Sequence, residues 1–280
     1  MRFDRQFTVG VVRPLRRAAR MSPAPGIPIL MYHSISDDLD TQRRPYYRTV
    51  TSPARFRQHM ATLRRRGVRT LTLSEAMRSL AAPASVQETP AVVVTFDDGY
   101  LDFKTTAFPI MQEMGVSATV FVSTGYLGKP FFDGRPCLRE GDLESLACQG
   151  VEFGSHTVTH PQLRQVPRTQ MVDELAMSRH RMTELLGKGV ASFSYPFRFP
   201  SEDPSFMAEL TTALVDCGYQ QGVTTAIGVA NQGDPRYFLR RLPVNDCDDD
   251  AFFEAKLDGH YDWLRFPQSA RKQLRARFGI

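Results

Sequence analysis

Ala91-Val92-Val93-Val94-Thr95-Phe96-Asp97-Asp98-Gly99-Tyr100 is an unbroken apolar run that ends in two adjacent carboxylates and a glycine. Hydrophobicity that does not alternate marks a strand covered on both faces, as in parallel sheets. Similar short runs bounded by turn residues recur at Ile27–Tyr32, Ala118–Val122, Val151–Phe153, Ala191–Tyr195, Gln220–Thr224 and Leu239–Val244. Helical patterns fill most of the intervals. Ser52-Pro53 caps and opens one, with Phe56, Met60 and Leu63 at helical spacing, and Thr72 to Glu75 forms a capping box leading into Ala76–Leu80. Thr169–Leu186 carries Met171, Leu175, Met182 and Leu185 on one face, and Asp203-Pro204 starts a helix that ends near Gly218. Strands alternating with helices, with no internal repeat, predict a single α/β domain, barrel-like or doubly wound. Residues 128–140, rich in Gly, Pro and Phe, interrupt the pattern as a long loop of the kind that lines a site.

The 280 residues are 42% hydrophobic and 23% charged, which predicts a buried core and excludes wholesale disorder. The formal net charge of +5 is concentrated at the ends. Arg2, Arg5, Arg13, Arg16, Arg17 and Arg20 crowd the start, and Arg265, Arg271, Lys272, Arg275 and Arg277 crowd the finish. No aromatics interleave these arginines as a nucleic-acid groove requires, so nucleic acid is not expected as a partner. An anionic lipid surface or a phosphate-bearing sugar carrier fits the charge better. The organisation expected is a basic extension and linker over 1–26, a catalytic domain over 27–264 and a basic tail over 265–280, with Met21 an alternative start. Residues 1–20 lack the apolar run of about seven to fifteen residues of a secretory signal, and no stretch approaches the roughly eighteen that span a bilayer. A soluble, cytoplasmic protein, at most peripheral to a membrane, is therefore expected. Cys137, Cys148, Cys217 and Cys247 have no C-x-x-C spacing and read as reduced thiols.

Carboxylates side by side, like Asp97 and Asp98, repel each other, and a cation or a shared proton relieves them. A pair of helix-capping aspartates is the plainer alternative. The second cluster is Gly154-Ser155-His156-Thr157-Val158-Thr159-His160-Pro161, again directly after an apolar run. Its two histidines are spaced i, i+4, so one helical turn would point both the same way. A carboxylate with two imidazoles leaves tetrahedral zinc an open position for water, as catalytic sites require.

The sequence resembles the NodB-type polysaccharide deacetylases, carbohydrate esterase family four, through Thr95-Phe-Asp-Asp-Gly99, His156-Thr-Val-Thr-His160 and Ser194-Tyr-Pro-Phe197, in the family's order and spacing. The resemblance covers roughly residues 27–245. It implies a distorted (β/α) barrel of about seven strands, with Asp98, His156 and His160 as metal ligands and Asp97 as the general base. Pro28-Ile-Leu-Met-Tyr-His33 looks like the circularly permuted subgroup, which makes His33 the general acid that protonates the leaving amine. In the third motif the resemblance assigns the backbone N–H of Tyr195 to the oxyanion. Arg198 stands where the family commonly has glycine, and Ser194 where many members carry an arginine that tethers the base. Arg240 or Arg241 then replaces that tether, Arg240 being counted among the residues that meet substrate.

The implied activity is metal-dependent removal of an N-acetyl group from an amino sugar in a polysaccharide, an oligosaccharide or a lipid-linked glycan precursor, with zinc the first choice of metal. A deformylase or other small-amide hydrolase on the same barrel is the rival within enzymes. An inactive carbohydrate-binding relative is the rival outside them, opposed by the intact Asp97, Asp98, His156, His160 and His33. Phe131-Phe132 and Tyr261 to Leu264, with the single tryptophan, are candidate sugar-stacking surfaces that core packing would explain equally well. The sequence does not specify an oligomeric state.

Overall fold

The computed structural model describes residues 2–20, 26–82 and 90–265. The chain begins with a helical arm, α1 (Phe3–Phe7) and α2 (Arg13–Ala18), joined by a wider π-helical turn at Thr8–Val12. It then enters β1 (Ile29–Tyr32), the short pair β2 (Ser34–Ile35) and β3 (Val50–Thr51), α3 (Pro53–Arg65), β4 (Arg69–Leu71) and α4 (Leu73–Ala81). The rest alternates: β5 (Ala91–Phe96), α5 (Phe108–Met114), β6 (Thr119–Val122), α6 (Glu140–Ala147), β7 (Glu152–Ser155), α7 (Arg168–Leu186), β8 (Ser192–Ser194), α8 (Pro204–Asp216), β9 (Gln221–Ile227), β10 (Leu239–Pro243) and α9 (Asp250–Leu257).

Seven parallel strands close into a barrel in the order β1, β10, β9, β8, β7, β6, β5 and back to β1, where Ile29 pairs with Val93 and Tyr32 with Phe96. All seven apolar runs supply these strands. Their unbroken hydrophobicity has a simple cause in β5. Val93 faces a lumen shared with Ile29, Phe121, Val223 and Leu239, while Val92, Val94 and Phe96 face the surrounding helices. The lumen is tight at β7, where a Cβ on Gly154 would lie 2.6 Å from the Phe121 ring.

Three short strands, β2, β3 and β4, were not legible, and β4 shapes the barrel. β4 pairs with the first half of β5, at Arg69 with Ala91 and Leu71 with Val93, whereas β6 meets β5 only at Thr95 and Phe96. β4 thus wedges between β5 and β6 at the lower end of the barrel, and Leu73 and Ser74 of α4 follow it in, donating backbone N–H groups to Thr119 Oγ1 and Glu152 Oε2. This wedge distorts the barrel. Three residues, half exposed, carry too little hydrophobicity to announce a strand.

The helix starts fall where their caps predict. Ser52 accepts from the Arg55 N–H, Thr72 and Glu75 complete the capping box, and Asp203 accepts from the Phe206 N–H. The arm is where the structure adds most, because residues 3–18 are helical and dock along α9 rather than trailing as a linker. Met21, the linker at 22–25 and the tail at 266–280 lie outside the described residues.

Candidate active site

The site lies at the C-terminal ends of the barrel strands, where α/β barrels place their chemistry. β5 delivers Asp97, still in strand register with its N–H on Tyr32 O at 3.0 Å. Asp98 follows in a left-handed turn with φ of 72°. β7 delivers His156 and then His160. Among the described residues, four of the five non-glycine positions with positive φ are Asp98, Thr157, His160 and Phe197. Backbone strain of about 1 kcal/mol or more apiece is concentrated here and is held by the surrounding contacts.

Donor atoms of Asp98, His156 and His160 all lie within 4.8 Å of one another. Each imidazole Nε2 is 3.4 Å from the same oxygen, Asp98 Oδ1. His156 Nδ1 donates to Ser194 O at 2.7 Å, which turns Nε2 toward the cluster; burial opposes charge on the ring, but Asp97 and Asp98 raise its pKa. Burial, aided by the neighbouring His156, pushes His160 down to about 4, so its imidazole is neutral at ordinary pH. Burial opposes charge on Asp98, yet the imidazoles hold it below the usual carboxylate range. Three lone pairs aimed at one buried point, with an anionic carboxylate among them, suit a divalent cation.

The two histidines reach this point by a route different from the expected helical turn. Residues 156–160 form a bent loop with left-handed Thr157 and His160, φ 69° and 56°. Glu174 of α7 holds it, accepting from Val158 N at 2.7 Å, Thr159 N at 2.9 Å and Thr159 Oγ1 at 2.5 Å. Sequence reading missed Glu174, although it carried a signal: an acid set within the apolar face formed by Met171, Leu175 and Met182.

Asp97 is buried beside this cluster and gripped by Arg241. Arg241 Nη1 reaches Asp97 Oδ1 at 2.7 Å and Nη2 reaches Oδ2 at 2.6 Å, a bidentate pair. The guanidinium also donates to Thr95 Oγ1, Ser194 Oγ and Thr224 O. Although burial works against it, Arg241 first and His156 next hold Asp97 far below the normal carboxylate range. Of the two arginines left open by the sequence, the tether is therefore Arg241. Arg240 is not at the site. As the adjacent residue on β10 it faces outward and pairs with Asp234 at 3.6 Å. Ser194 explains the exchange, because its short side chain leaves room for the guanidinium arriving from β10 and itself donates to Asp97 Oδ1 at 3.3 Å.

Tyr195 also requires correction. Its N–H is spent on Val223 O at 3.0 Å, extending the ladder between β8 and β9, and its ring packs into the core against Phe199 and Phe206. Phe197 takes its place at the site, left-handed at φ 56°, with its ring centroid 4.5 Å from that of His160. His33, half-buried just beyond β1, lies within electrostatic reach of Asp97, Asp98 and His160. Phe131 and Phe132 of the long loop bring their rings to 5.3 and 5.8 Å from His160. Tyr261 and Trp263 are elsewhere, bonded to Asp4 and Thr8 of the arm. Cys137 is a buried thiol pushed up to about 12 by burial and by Asp98, which removes it as a nucleophile. Beside Phe197 a groove of about 550 Å³ is lined by Gln162, Arg164, Arg198 and Glu202. It does not include the ligand cluster itself.

Comparison with known proteins agrees with this geometry. The polysaccharide deacetylase family model matches residues 84–222, a span that contains Asp97, Asp98, His156, His160 and Phe197 but neither His33 nor Arg241. The Bacillus subtilis protein YxkH, whose name places it among the polysaccharide deacetylases, is 32% identical over 232 residues, 83% of this chain and 76% of that one. The Escherichia coli K12 protein named poly-β-1,6-N-acetyl-D-glucosamine N-deacetylase is 27% identical over 157 residues, 54% of this chain but 20% of its own length. Among solved structures, the Streptococcus pyogenes deacetylase PplD in complex with acetate superposes with a TM-score of 0.70 at 25% identity, covering 84% of this chain and 99% of that one. Barrel, motif order and the extent of the YxkH match converge on one assignment: the chain belongs to the polysaccharide deacetylase family.

Proposed function

We propose that the protein is a metal-dependent N-deacetylase of amino sugars in a glycan. The observation that carries the reading is the pairing of two unlike carboxylates: Asp98 facing two imidazole lone pairs, and Asp97 held apart from them by Arg241. Asp98, His156 and His160 would hold the cation, zinc first, which when bound supplies Lewis acidity toward the acyl carbonyl and toward water. Asp97 is ionised and fixed in orientation by Arg241 and Ser194, so its role is to take a proton from the attacking water. His33 stands on the neighbouring strand tip to deliver a proton to the departing nitrogen. Phe197 replaces Tyr195 as the backbone donor to the developing oxyanion, since the Tyr195 amide is committed to the sheet.

Phe132 and Phe197 present exposed ring faces on either side of His160, which suits the apolar faces of a sugar ring. The adjoining polar groove gives room for a neighbouring sugar unit, which favours an oligomeric substrate. The test is acetate release from N-acetylated amino-sugar oligomers with and without a chelator. Release that stops with chelator and returns with zinc is expected; undiminished release in chelator removes the cation from the reaction.

A further inference from the structure

The arm is built inside out. Most of its charged residues face the barrel: Arg2 pairs with Asp4 at 2.6 Å and with buried Asp248 at 3.0 Å, Arg5 with Asp249, Arg13 with Glu254 at 2.7 Å, and Arg16 donates to Gly259 O. Val9 packs on the core and Phe7 on Trp263, but much of the remaining apolar surface faces out. Phe3 is 71% exposed, Val11 40% and Leu15 64%, and exposed Gly10, Pro14 and Ala18 continue the same ridge. Of the eight large hydrophobic side chains exposed among the described residues, three fall on these sixteen residues of arm. A soluble surface helix has the opposite arrangement. Nothing in the barrel needs the inversion, since the inward salt bridges could anchor a helix whose outer face was polar.

Charge identifies what covers the ridge. Arg17 and Arg20 are exposed where the arm ends. The C-terminal end of the described chain returns to the arm on its buried side, where Trp263 packs on Phe7 and bonds Thr8. The sequence beyond it contains Arg271, Lys272, Arg275 and Arg277. Exposed basic side chains of the arm therefore continue from its exposed apolar ridge. We propose that the outer ridge of the arm docks on an anionic lipid surface, with Phe3, Val11 and Leu15 entering the interface and Arg17 and Arg20 meeting the headgroups. No described helix is long and apolar enough to cross a membrane. The inference is independent of the deacetylase reading.

Flotation of the full chain with vesicles of equal parts phosphatidylglycerol and phosphatidylcholine, against phosphatidylcholine alone, tests it. Binding to the anionic vesicles only, weakened by salt, is expected. Val11→Ser with Leu15→Ser should lower the vesicle-bound fraction about tenfold, leaving thermal unfolding and acetate release from soluble substrate unchanged, because neither side chain faces the barrel. Arg17→Gln with Arg20→Gln should abolish the preference for anionic lipid. Failure of the unmodified chain to float, or flotation unaltered by the serine pair, overturns the proposal. So does a lipid-independent dimer, seen by sedimentation velocity, that the serine pair dissociates, since a second copy would then be the occupant.

Discussion

Single side chains divide the labour at the site between two adjacent aspartates, and substitution should separate them. Asp97→Asn should lower turnover by about a hundredfold to ten-thousandfold while metal content, read by elemental analysis, stays at the unmodified level. His156→Ala should do the reverse, losing the metal first and activity as a consequence; full metal occupancy in that variant would sink the ligand assignment. Arg241→Met strands Asp97 as a lone buried anion, which should cost about 3–5 kcal/mol in denaturant unfolding. With its depressing partner gone Asp97 titrates higher, so the acid limb of the pH–rate profile should move toward neutral pH. Arg241→Lys cannot restore the two parallel hydrogen bonds and should recover only part of the loss. Two points were not settled by sequence, which of Arg240 and Arg241 holds Asp97 and that the Tyr195 amide is taken by the sheet, and the first has a clear physical reason. Strands covered on both faces have no polar and apolar alternation, so the pattern that reveals the fold erases the parity that tells which neighbour points inward.

At the scale of elements, the loop between β7 and α7 depends on Glu174, which joins the amides of Val158 and Thr159 to the buried face of α7. Glu174→Gln keeps the shape but gives up charge-assisted bonds, and metal affinity by competitive titration should fall about ten- to a hundredfold with unchanged far-UV circular dichroism. The seven barrel strands and the helix caps were legible because each is fixed by a few adjacent residues, a covered apolar run or a Ser, Thr or Asp with its N3 partner. The bend at 156–160 was not. Its bend is held by an acid that bonds Val158 and Thr159 from sixteen and fifteen positions away, and spacing alone suggested the helical turn instead. The arm was likewise read by its charge, which the fold turns inward against Asp248, Asp249 and Glu254.

The whole molecule is tied together beneath the site by a buried polar chain. Tyr32 Oη meets His59 Nδ1 at 3.0 Å, His59 Nε2 meets Asp248 O at 2.7 Å, and the Asp248 carboxylate takes Lys256 at 2.6 Å and Arg2 at 3.0 Å. Burial pushes His59 down to about 4 from its ordinary 6.5. Between those two pH values the unfolded chain binds a proton that the folded one refuses, so stability is full above 6.5 and is lost as pH falls toward 4, by about 3 kcal/mol from this residue. Urea unfolding across that range should show the decline, and His59→Gln should flatten it. β1 completes the barrel by joining β5 on one edge and β10 on the other. During synthesis Ile29–Tyr32 can pair with β5 early, yet its second edge stays open until residues 239–243 have left the ribosome. The nascent chain therefore carries an unfinished sheet through most of translation, and a message cut short after residue 238 should yield a product that aggregates.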